Sequence, residues 1–440
     1  MGDAHTDNGV VQSTSATSAH EATNPPLKDL GEDKEQTEHT AGQNSQVNQA
    51  KIEEGPDVYC PGGFHPVYIG DVFNDRYEVL NKIGYGVYST VWIVEDLQHR
   101  SSERRAFFAL KVLSAECYGG QHDIFEREIL RHLRDGDRNL LGYKYIVHLV
   151  DDFEHSGPNG KHVCLVFELY GETLQSFGVW FSKQMIPKHV MQRFTVHLLL
   201  ALDYAHYMKV IHTDIKPSNI FVKFRDYSMI ESDYLKRAPV QEQDRNEMRY
   251  TVIESVPLRA AYFNDDDTPN NFQVALGDWG VASWTDNHLS ENIQPVALRA
   301  PEVLIRAPWD TYTDYWNLGA LLPELFRNIR MFNGDVPPDG HYELREHIGE
   351  ITDLFGPFPR SLLEKGDEAI VQDVFDDNGM VKDRIHSGKS LEHFTPDLPE
   401  DIKEKFISFL RAIMQIEPHK RPDAEDLLRH PFLRALPPKE

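Results

Sequence analysis

The sequence predicts an α+β protein in two lobes, an antiparallel β-sheet lobe followed by a mainly helical lobe. Segments between residues 59 and 169 alternate apolar and polar residues and are rich in Val, Ile, Tyr and Phe, which indicates strands. From residue 170 to 437 the apolar residues recur three and four positions apart, which indicates amphipathic helices. At 440 residues the chain also exceeds what a single hydrophobic core normally supports.

The first lobe follows an N-terminal segment, residues 1–58, which we expect to be a disordered acidic tail. This segment has no aromatic residue, so it cannot bury enough apolar surface to offset its ordering entropy. Strands are then predicted in YEVLNKIGYGVYSTVWIVEDL and RAFFALKVL, one helix in HDIFEREILRHLRD, and two more strands in IVHLVDDFEH and HVCLVFEL. The lobe closes at residue 169.

In the second lobe, helices are predicted in KHVMQRFTVHLLLALDYAHYM, TYTDYWNLGALLPELF, ELREHIGEITDLF, DIKEKFISFLRAIMQI and DAEDLLRHPFL. Residues 223–272 are polar, and we interpret them as an irregular insertion. The insertion carries the run Asp265, Asp266 and Asp267. This run could hold a cation, but it lacks the spaced ligands of a calcium loop, so we predict a solvated charge cluster.

Composition limits the classes of partner. A net charge of −25 repels nucleic acid and favours basic partners, although a solubilising acidic surface explains it equally well. Cys60, Cys117 and Cys164 lie far apart without a CxxC pair, which argues against a disulfide framework or a zinc site. We therefore expect a reduced intracellular compartment, cytoplasmic and/or nuclear. No apolar run approaches the roughly 20 residues needed to span a bilayer.

Two glycines and a lysine in the first lobe indicate a phosphate site. Gly84 and Gly86 flank Tyr85 between predicted strands, where backbone amides can approach an anion that a Cβ would obstruct. A glycine-rich hairpin turn is the simpler interpretation of this feature alone. Lys111 lies inside the strand FFALKVL, and we predict that Glu128 on the following helix pairs with its charge. Considered alone, Lys111 could instead snorkel at a strand edge.

The stretch VIHTDIKPSNI combines residues that suit phosphoryl transfer. Asp214 can accept a hydrogen bond from a substrate hydroxyl, and Lys216 can neutralise a transferring phosphoryl group. Asn219 offers a carbonyl oxygen suited to Mg²⁺, as does the carboxylate of Asp278 in LGDWG. These residues follow the glycine pair and Lys111 in order, which argues against a chance surface loop.

These motifs resemble those of the eukaryotic protein kinases over about residues 76–433. Gly84, Gly86 and Val91 match the glycine-rich loop, FALK the strand lysine motif, and HTDIKPSN the catalytic loop. DWG stands where DFG is usual, and APE is intact. Asp314 matches the aspartate of the large central helix.

The resemblance implies the bilobal kinase fold and an ATP-dependent serine/threonine kinase that uses Mg²⁺. Arg421 fits the arginine that pairs with Glu302 of APE. Catalysis is assigned to Asp214, Lys216, Lys111 and Glu128, and metal binding to Asn219 and Asp278. Nucleotide binding is assigned to Ile83, Gly84, Tyr85, Gly86, Val87, Ser89, Val91, Ala109, Lys111, Glu168 and Tyr170.

A narrower resemblance is to the serine/arginine protein kinases of the CMGC group, of which the chain looks like a divergent, fungal-type member. YCPGGFHPVYIGDVFNDRYEVL, Ser89-Thr90 in place of the third glycine, HTDIKP and HIGEITDLFGPFPRSLL carry it, and residues 341–396 occupy the position of the CMGC insert. The resemblance implies basic, Arg/Ser-rich protein substrates. We also expect no direct nucleic acid binding, no membrane association and a monomer. The acidic residues that suit such substrates, if they are not merely a solvated face, are Asp367, Glu368, Asp373, Asp376 and Asp377.

Departures from the family leave two alternatives open, a pseudokinase scaffold that binds basic partners and a CMGC kinase directed to Ser-Pro sites. Val296 and Leu298 stand where the family shows arginine and tyrosine, so its preference after the phosphorylated serine is not carried over. Thr213 stands where many kinases have an arginine that pairs with a phosphorylated activation-segment residue. The segment from Asp278 to Glu302 is also short, so we predict activity without activation-loop phosphorylation.

Overall fold

The computed structural model describes residues 53–99, 105–118, 124–181, 183, 185–224, 226–239, 241, 243–245, 249–258, 272–336, 340–385, 387–395 and 398–435. Most of the predicted acidic tail, and the run Asp265, Asp266 and Asp267, lie outside these residues. Residues 53–58, which the sequence assigns to the tail, belong instead to the folded unit and include the 3-10 helix Pro56–Val58.

The first lobe is an antiparallel sheet with one main α-helix, as predicted, and its described residues form six strands. Its strands are β1 (Val72–Phe73), β2 (Tyr77–Gly86), β3 (Ser89–Asp96), β4 (Phe107–Leu113), β5 (Leu149–Gly157) and β6 (Gly160–Glu168), in the spatial order β1-β2-β3-β4-β6-β5. Helix α1 (Glu126–Arg134) connects β4 to β5 and begins later than the predicted helical segment. Buried residues of β2, β3, β4 and β6 form a core of their own, which includes Trp92 and Val166.

The second lobe is mainly helical. Its helices are α2 (Leu174–Phe177), α3 (Lys188–Tyr207), α4 (Leu235–Arg237), α5 (Pro301–Leu304), α6 (Tyr312–Arg327), α7 (Leu344–Phe355), α8 (Arg360–Leu363), α9 (Glu368–Val374), α10 (Glu400–Ile413) and α11 (Ala424–Arg429). Short strands lie among them: β7 (Tyr170–Thr173), β8 (Val210–Ile211), β9 (Ile220–Lys223), β10 (Val274–Leu276), β11 (Ser283–Trp284), β12 (Asp335–Val336) and β13 (His341–Tyr342). Three small antiparallel sheets result, with the orders β10-β9-β7, β11-β8 and β12-β13.

Helix α6 forms the centre of the second lobe. Nearly every residue along it is buried, which is expected of a helix that is apolar around most of its circumference. Its buried residues include the polar Asp314 and Asn317, which must find partners inside the protein. Both bond to the stretch that the sequence analysis identifies as catalytic, so the core of the lobe positions the site.

The insertion predicted at residues 223–272 is largely irregular in its described part. It contains one π-helical turn, Ile230–Tyr234, followed directly by α4. Residues 249–258 then lie against the first lobe, where Ile253 joins the buried core and the backbone N–H of Val256 bonds the carbonyl of Lys82 at 2.9 Å. The insertion therefore links the second lobe to the outer face of the first. Within the described residues, no helix combines the length and apolar character that crossing a bilayer requires.

Candidate active site

The catalytic stretch is held by two side chains of α6. The carboxylate of Asp314 accepts hydrogen bonds from the backbone N–H groups of His212 at 2.9 Å and Thr213 at 3.0 Å. Asn317, one helical turn further, accepts from the N–H of Ile215 at 3.1 Å and donates to its carbonyl at 2.8 Å. Residues three apart lie on the same face of a helix, so Asp314 and Asn317 bind neighbouring residues of the catalytic stretch.

Asp314 keeps its charge although it is completely buried. Burial alone would raise its pKa, but the hydrogen bonds from His206 and His212 hold the pKa of this carboxyl below its ordinary value. The bond to His206 Nε2 on α3 is 2.8 Å long. The charged carboxylate strengthens each bond that it accepts.

Thr213 has a strained backbone that two hydrogen bonds compensate. Its φ angle is 66°, in a region that costs a β-branched residue about 1–3 kcal/mol. Its N–H bonds Asp314, and its hydroxyl donates to the carbonyl of Val281 at 2.8 Å. The hydroxyl of Thr213 thus ties the catalytic stretch directly to the segment that follows DWG through a hydrogen bond to a neutral carbonyl.

Asp214, Lys216 and Asn219 form one hydrogen-bonded group. The amide nitrogen of Asn219 donates to the Asp214 backbone carbonyl at 2.9 Å and to its Oδ2 at 2.8 Å. Lys216 Nζ lies 3.1 Å from the same Oδ2. Because the Asn219 nitrogen serves as the donor, its carbonyl oxygen is the atom that can ligate a metal ion.

Lys111 lies between two carboxylates. Its Nζ donates to Glu126 Oε1 at 2.7 Å and Oε2 at 2.9 Å, and lies 3.3 Å from Asp278 Oδ1. Burial disfavours the charge of Lys111, but Asp278 and Glu126 together raise its pKa above the ordinary value. Lys111 in turn lowers the pKa of Asp278. The Asp278 side chain remains 44% exposed, so it can receive a ligand.

The prediction that Glu128 pairs with Lys111 is wrong. Glu128 is exposed, and its carboxylate accepts a hydrogen bond from Tyr118 at 3.3 Å. Residues two apart on a helix point about 200° away from each other, so only one of Glu126 and Glu128 can face Lys111. The side chain that does so is Glu126, which is buried at the start of α1.

The sequence contains a signal that identifies Glu126. It precedes Ile129, Leu130 and Leu133 by three, four and seven positions, and all three are buried. This spacing places Glu126 on the apolar stripe of α1 that faces the protein interior. A carboxylate on such a stripe needs a cationic partner, whereas Glu128 falls on the outer face.

The glycine pair lies in a hairpin formed by β2 and β3, which we call the flap. Gly86 pairs with Ser89 across a two-residue turn, and Gly84 pairs with Val91. A Cβ added at Gly84 would meet no atom within 4 Å, so protein packing does not explain this glycine. Val91 in turn pairs with Lys111 across β3 and β4, which places the flap beside the lysine.

The other predicted nucleotide residues lie around the same cleft. Ala109 on β4 pairs with Ile93 of β3 and with Phe167 of β6, directly before the connector between the lobes. In that connector the hydroxyl of Tyr170 donates to Glu168 at 3.2 Å. Ile83 and Ala109 pack partly buried against the core, whereas Tyr85 and Val87 at the flap tip are exposed.

The activation segment ends at a buried ion pair. Arg421 donates to Glu302 through two bonds of 2.6 and 2.7 Å, and both side chains are fully buried. Arg421 also donates to the carbonyls of Gln415 and Tyr312. The predicted pairing of Arg421 with Glu302 is therefore present. At the other end of the segment, Trp279 of DWG is buried with its ring 4.6 Å from that of His212.

Paired substitutions distinguish the two glutamates. Glu126→Gln removes the charge that fixes Lys111, so we expect kcat/KM for ATP-dependent phosphorylation to fall about 30- to 100-fold, because breaking a buried ion pair is costly. Glu128→Gln changes an exposed group and should stay within about twofold of the parent. Steady-state kinetics with a common substrate measures both. A larger loss in Glu128→Gln than in Glu126→Gln would contradict the observed pairing.

Comparisons with known proteins indicate the family of the chain. The protein kinase domain family matches residues 77–252 and 263–433. The chain is 30% identical to the serine/threonine-protein kinase SRPK of Physarum polycephalum, over 88% of this chain and 92% of that protein. It is 29% identical to protein kinase dsk1 of Schizosaccharomyces pombe, covering 89% and 87%, and 25% identical to human SRSF protein kinase 3, covering 87% and 90%.

A solved kinase domain superposes with a TM-score of 0.58 at 23% identity, covering 83% of this chain and 98% of that domain. This likeness supports the bilobal kinase fold. The family match spans most of the chain, and the Physarum relative is covered over nearly its whole length. The chain therefore belongs to the protein kinase family and, within it, to the SRPK serine/threonine kinases.

Proposed function

We propose that this kinase uses ATP and Mg²⁺ to phosphorylate serines in Arg/Ser-rich proteins, and that it needs no phosphate on its activation segment. The observation that carries the proposal is the hydrogen-bonded assembly of the reactive groups. Asp214 bonds both Lys216 and Asn219, while Lys111 bonds Glu126 and lies against Asp278. Every position that phosphoryl transfer requires is occupied by a competent side chain.

Each group then has a role in the transfer. Asp214 orients the substrate serine and accepts its proton, and Lys216 stabilises charge on the migrating phosphoryl group. Lys111, fixed by Glu126, holds the α and β phosphates. The oxygens of Asn219 and Asp278 are hard donors that suit Mg²⁺. When bound, the metal ion neutralises charge on the phosphates; the side chains supply positioning and electrostatic stabilisation.

The substrate class is supported by charge and by a relative. The chain carries a net charge of −25, and a human relative is named a kinase of SRSF proteins. Of the five predicted acidic residues, two serve the fold: Asp367 caps α9, and Asp376 accepts backbone N–H groups in a turn. The three that are well exposed are Glu368, Asp373 and Asp377. These three are the better candidates for contacts with a basic substrate.

Independence from activation-loop phosphorylation is supported by contacts along the segment. In addition to the bond from Thr213 to Val281, the indole of Trp309 donates to Glu291 at 2.8 Å. The ring of His288 stacks on Trp309 with centroids 3.6 Å apart. The backbone N–H of Leu289 bonds Ser283. These contacts support the proposal that protein groups take the stabilising role that a phosphate and an arginine have in switched kinases.

Phosphatase treatment tests this part of the proposal. We expect phosphate-free protein, verified by intact mass, to retain at least about half of its kcat, because no ion pair to a phosphate organises the segment. Thr213→Ala should lower kcat in treated and untreated protein alike, since it removes the bond to Val281. Near-complete loss of activity on dephosphorylation would contradict the proposal.

A second candidate, phosphorylation of Ser-Pro sites, is favoured by the geometry before APE. Gln294 has a φ of 68°, and its side chain is locked between the Thr313 carbonyl and the Ala300 N–H. Arg299 Nε donates to the carbonyls of Ile293 and Gln294, both at 3.2 Å. Each of these carbonyls thus already accepts one hydrogen bond, which weakens its attraction for a substrate N–H. A proline directly after the phosphorylated serine has no N–H, so it loses no hydrogen bond to these carbonyls.

A peptide array tests substrate choice. Peptides share one sequence and vary only the residue after the serine, as Arg, Pro or Ala, with the upstream arginines present or replaced by Gln. We expect loss of the arginines to lower phosphorylation at least about tenfold, because acidic residues recognise them. Asp214→Asn, the control, should lower every rate by about 100- to 10,000-fold.

Three outcomes would contradict the assignment. Equal incorporation by the parent protein and Asp214→Asn would exclude Asp214 as the catalytic group. Phosphorylation that requires proline after the serine and does not depend on the upstream arginines would identify a kinase directed to Ser-Pro sites. Nucleotide binding by the parent protein without turnover on any peptide would favour a scaffold.

A further inference from the structure

A fully buried lysine lies at the base of the flap. Lys82 belongs to β2, two residues before Gly84, and its side chain is 1% exposed. Its Nζ donates to Glu53 Oε2 at 2.9 Å, to the Glu54 carboxylate, and to the carbonyl of Ile253 at 3.3 Å. A buried ammonium requires this degree of compensation, because it has lost its contact with water.

The partners of Lys82 come from two segments that are remote in sequence. Glu53 lies ahead of the first lobe, whereas Ser255 and Val256 belong to the insertion that leaves the second lobe. Ser255 donates to Glu53 through its N–H at 2.7 Å and its hydroxyl at 3.0 Å, and Val256 N–H bonds the Lys82 carbonyl. Burial opposes the charge of Glu53, yet these bonds and Lys82 keep the pKa of Glu53 below its ordinary value. We call Glu53, Glu54 and residues 253–256 the clamp.

Strand β2 is irregular where the clamp binds. Its pairing with β3 shifts register between Val79 and Asn81 and again between Lys82 and Gly84. Such bulges turn side chains out of the regular alternation. At the first of them, Gln241, which exchanges two hydrogen bonds with the backbone of the clamp residue Glu254, donates to the side-chain oxygen of Asn81 at 3.1 Å. The clamp therefore contacts the strand at the irregularity that leads into the flap.

Lys82 also contacts the flap itself. Its Nζ lies 5.1 Å from the ring centroid of Tyr85, the residue between the two glycines. A cation over an aromatic ring at this distance attracts it. A continuous path thus runs from the clamp through Lys82 and Tyr85 to the backbone that would face the phosphates of ATP.

We propose that Lys82 is a positioning residue of the nucleotide site, through which the clamp holds the flap in place for ATP. The proposal rests on ATP use by this kinase but not on the identity of its protein substrate. It assigns a function in nucleotide affinity to two segments that lie outside the cleft. A purely stabilising ion cluster would lack the link through Tyr85.

Two measurements on the full chain test the proposal. Calorimetry gives the Kd for a non-hydrolysable ATP analogue with Mg²⁺, and thermal unfolding gives the Tm. Lys82→Met removes the cation that pairs with the Glu53 and Glu54 carboxylates, so the Tm should fall and the Kd should rise about five- to tenfold. The triple variant Glu53→Gln, Glu54→Gln, Lys82→Met removes all three charges. We expect its Tm to recover, because neutral groups replace the unpaired charges, while its Kd stays raised.

Two controls sharpen the measurement. Lys161→Met removes a mostly exposed lysine paired with Glu154 and should change neither Tm nor Kd. Tyr85→Leu should raise the Kd in the parent but much less in Lys82→Met, because the two residues act together. In steady state, Lys82→Met should raise KM for ATP more than it lowers kcat.

Recovery of the Kd together with the Tm in the triple variant would overturn the proposal, since the cluster would then act only on stability. An unchanged Kd in Lys82→Met would do the same. Absence of nucleotide binding by the parent protein would overturn it together with ATP use. Normal binding with no phosphorylation of any Arg/Ser peptide would count against the proposed substrate and leave the clamp supported.

Discussion

The carboxylate of Asp314 is the group on which the arrangement of the active site depends. It is fully buried on the central helix α6, and it fixes two consecutive N–H groups of the catalytic stretch, at His212 and Thr213. Because the backbone is fixed at these two residues, the next residue, Asp214, is held in place as well. The first turn of α6 also offers the Tyr312 carbonyl to Arg421, whose ion pair with Glu302 fixes the end of the activation segment. One helix therefore sets both the reactive loop and the segment that borders it.

The same constraint supports the proposal that the activation segment needs no phosphate to be ordered. Asp314 accepts the N–H of Thr213 in its left-handed conformation, and in that conformation the Thr213 hydroxyl donates to the carbonyl of Val281. Asp278 also has a positive φ, of 57°, directly after the glycine whose carbonyl accepts from His212. Strained residues of this kind persist when the surrounding structure over-determines them. Here the hydrogen bonds of Thr213 to Asp314 and of His212 to Gly277 hold the strained backbone in place. Lys111 then lies 3.3 Å from Asp278.

Residues that belong to short local motifs could be predicted from the sequence. The face on which a helix residue lies, and contacts between residues far apart in sequence, were not predicted. Lys216 and Asn219 were predictable because their chemistry follows from short spacings on one loop. Glu128 was predicted in place of Glu126, and residues two apart on a helix lie on nearly opposite faces. The spacing between Glu126 and Leu130 does place Glu126 on the apolar face. The burial of Lys82 could not be predicted, since its partners Glu53 and Ile253 lie far away in sequence and meet only after folding. The sequence assigned residues 53–58 to the tail for the same reason, since the contacts of Glu53 with Lys82 and Ser255 form only in the folded protein.

The central claim is that the site is assembled before any phosphate is added. A crystal structure of dephosphorylated protein with Mg²⁺ and a non-hydrolysable ATP analogue tests it most directly. We predict that Lys111 remains bonded to Glu126, that Asn219 and Asp278 both ligate the metal, and that Thr213 still bonds Val281. A displaced α1 with the bond between Lys111 and Glu126 broken, or a rearranged segment between Asp278 and Glu302, would contradict the account.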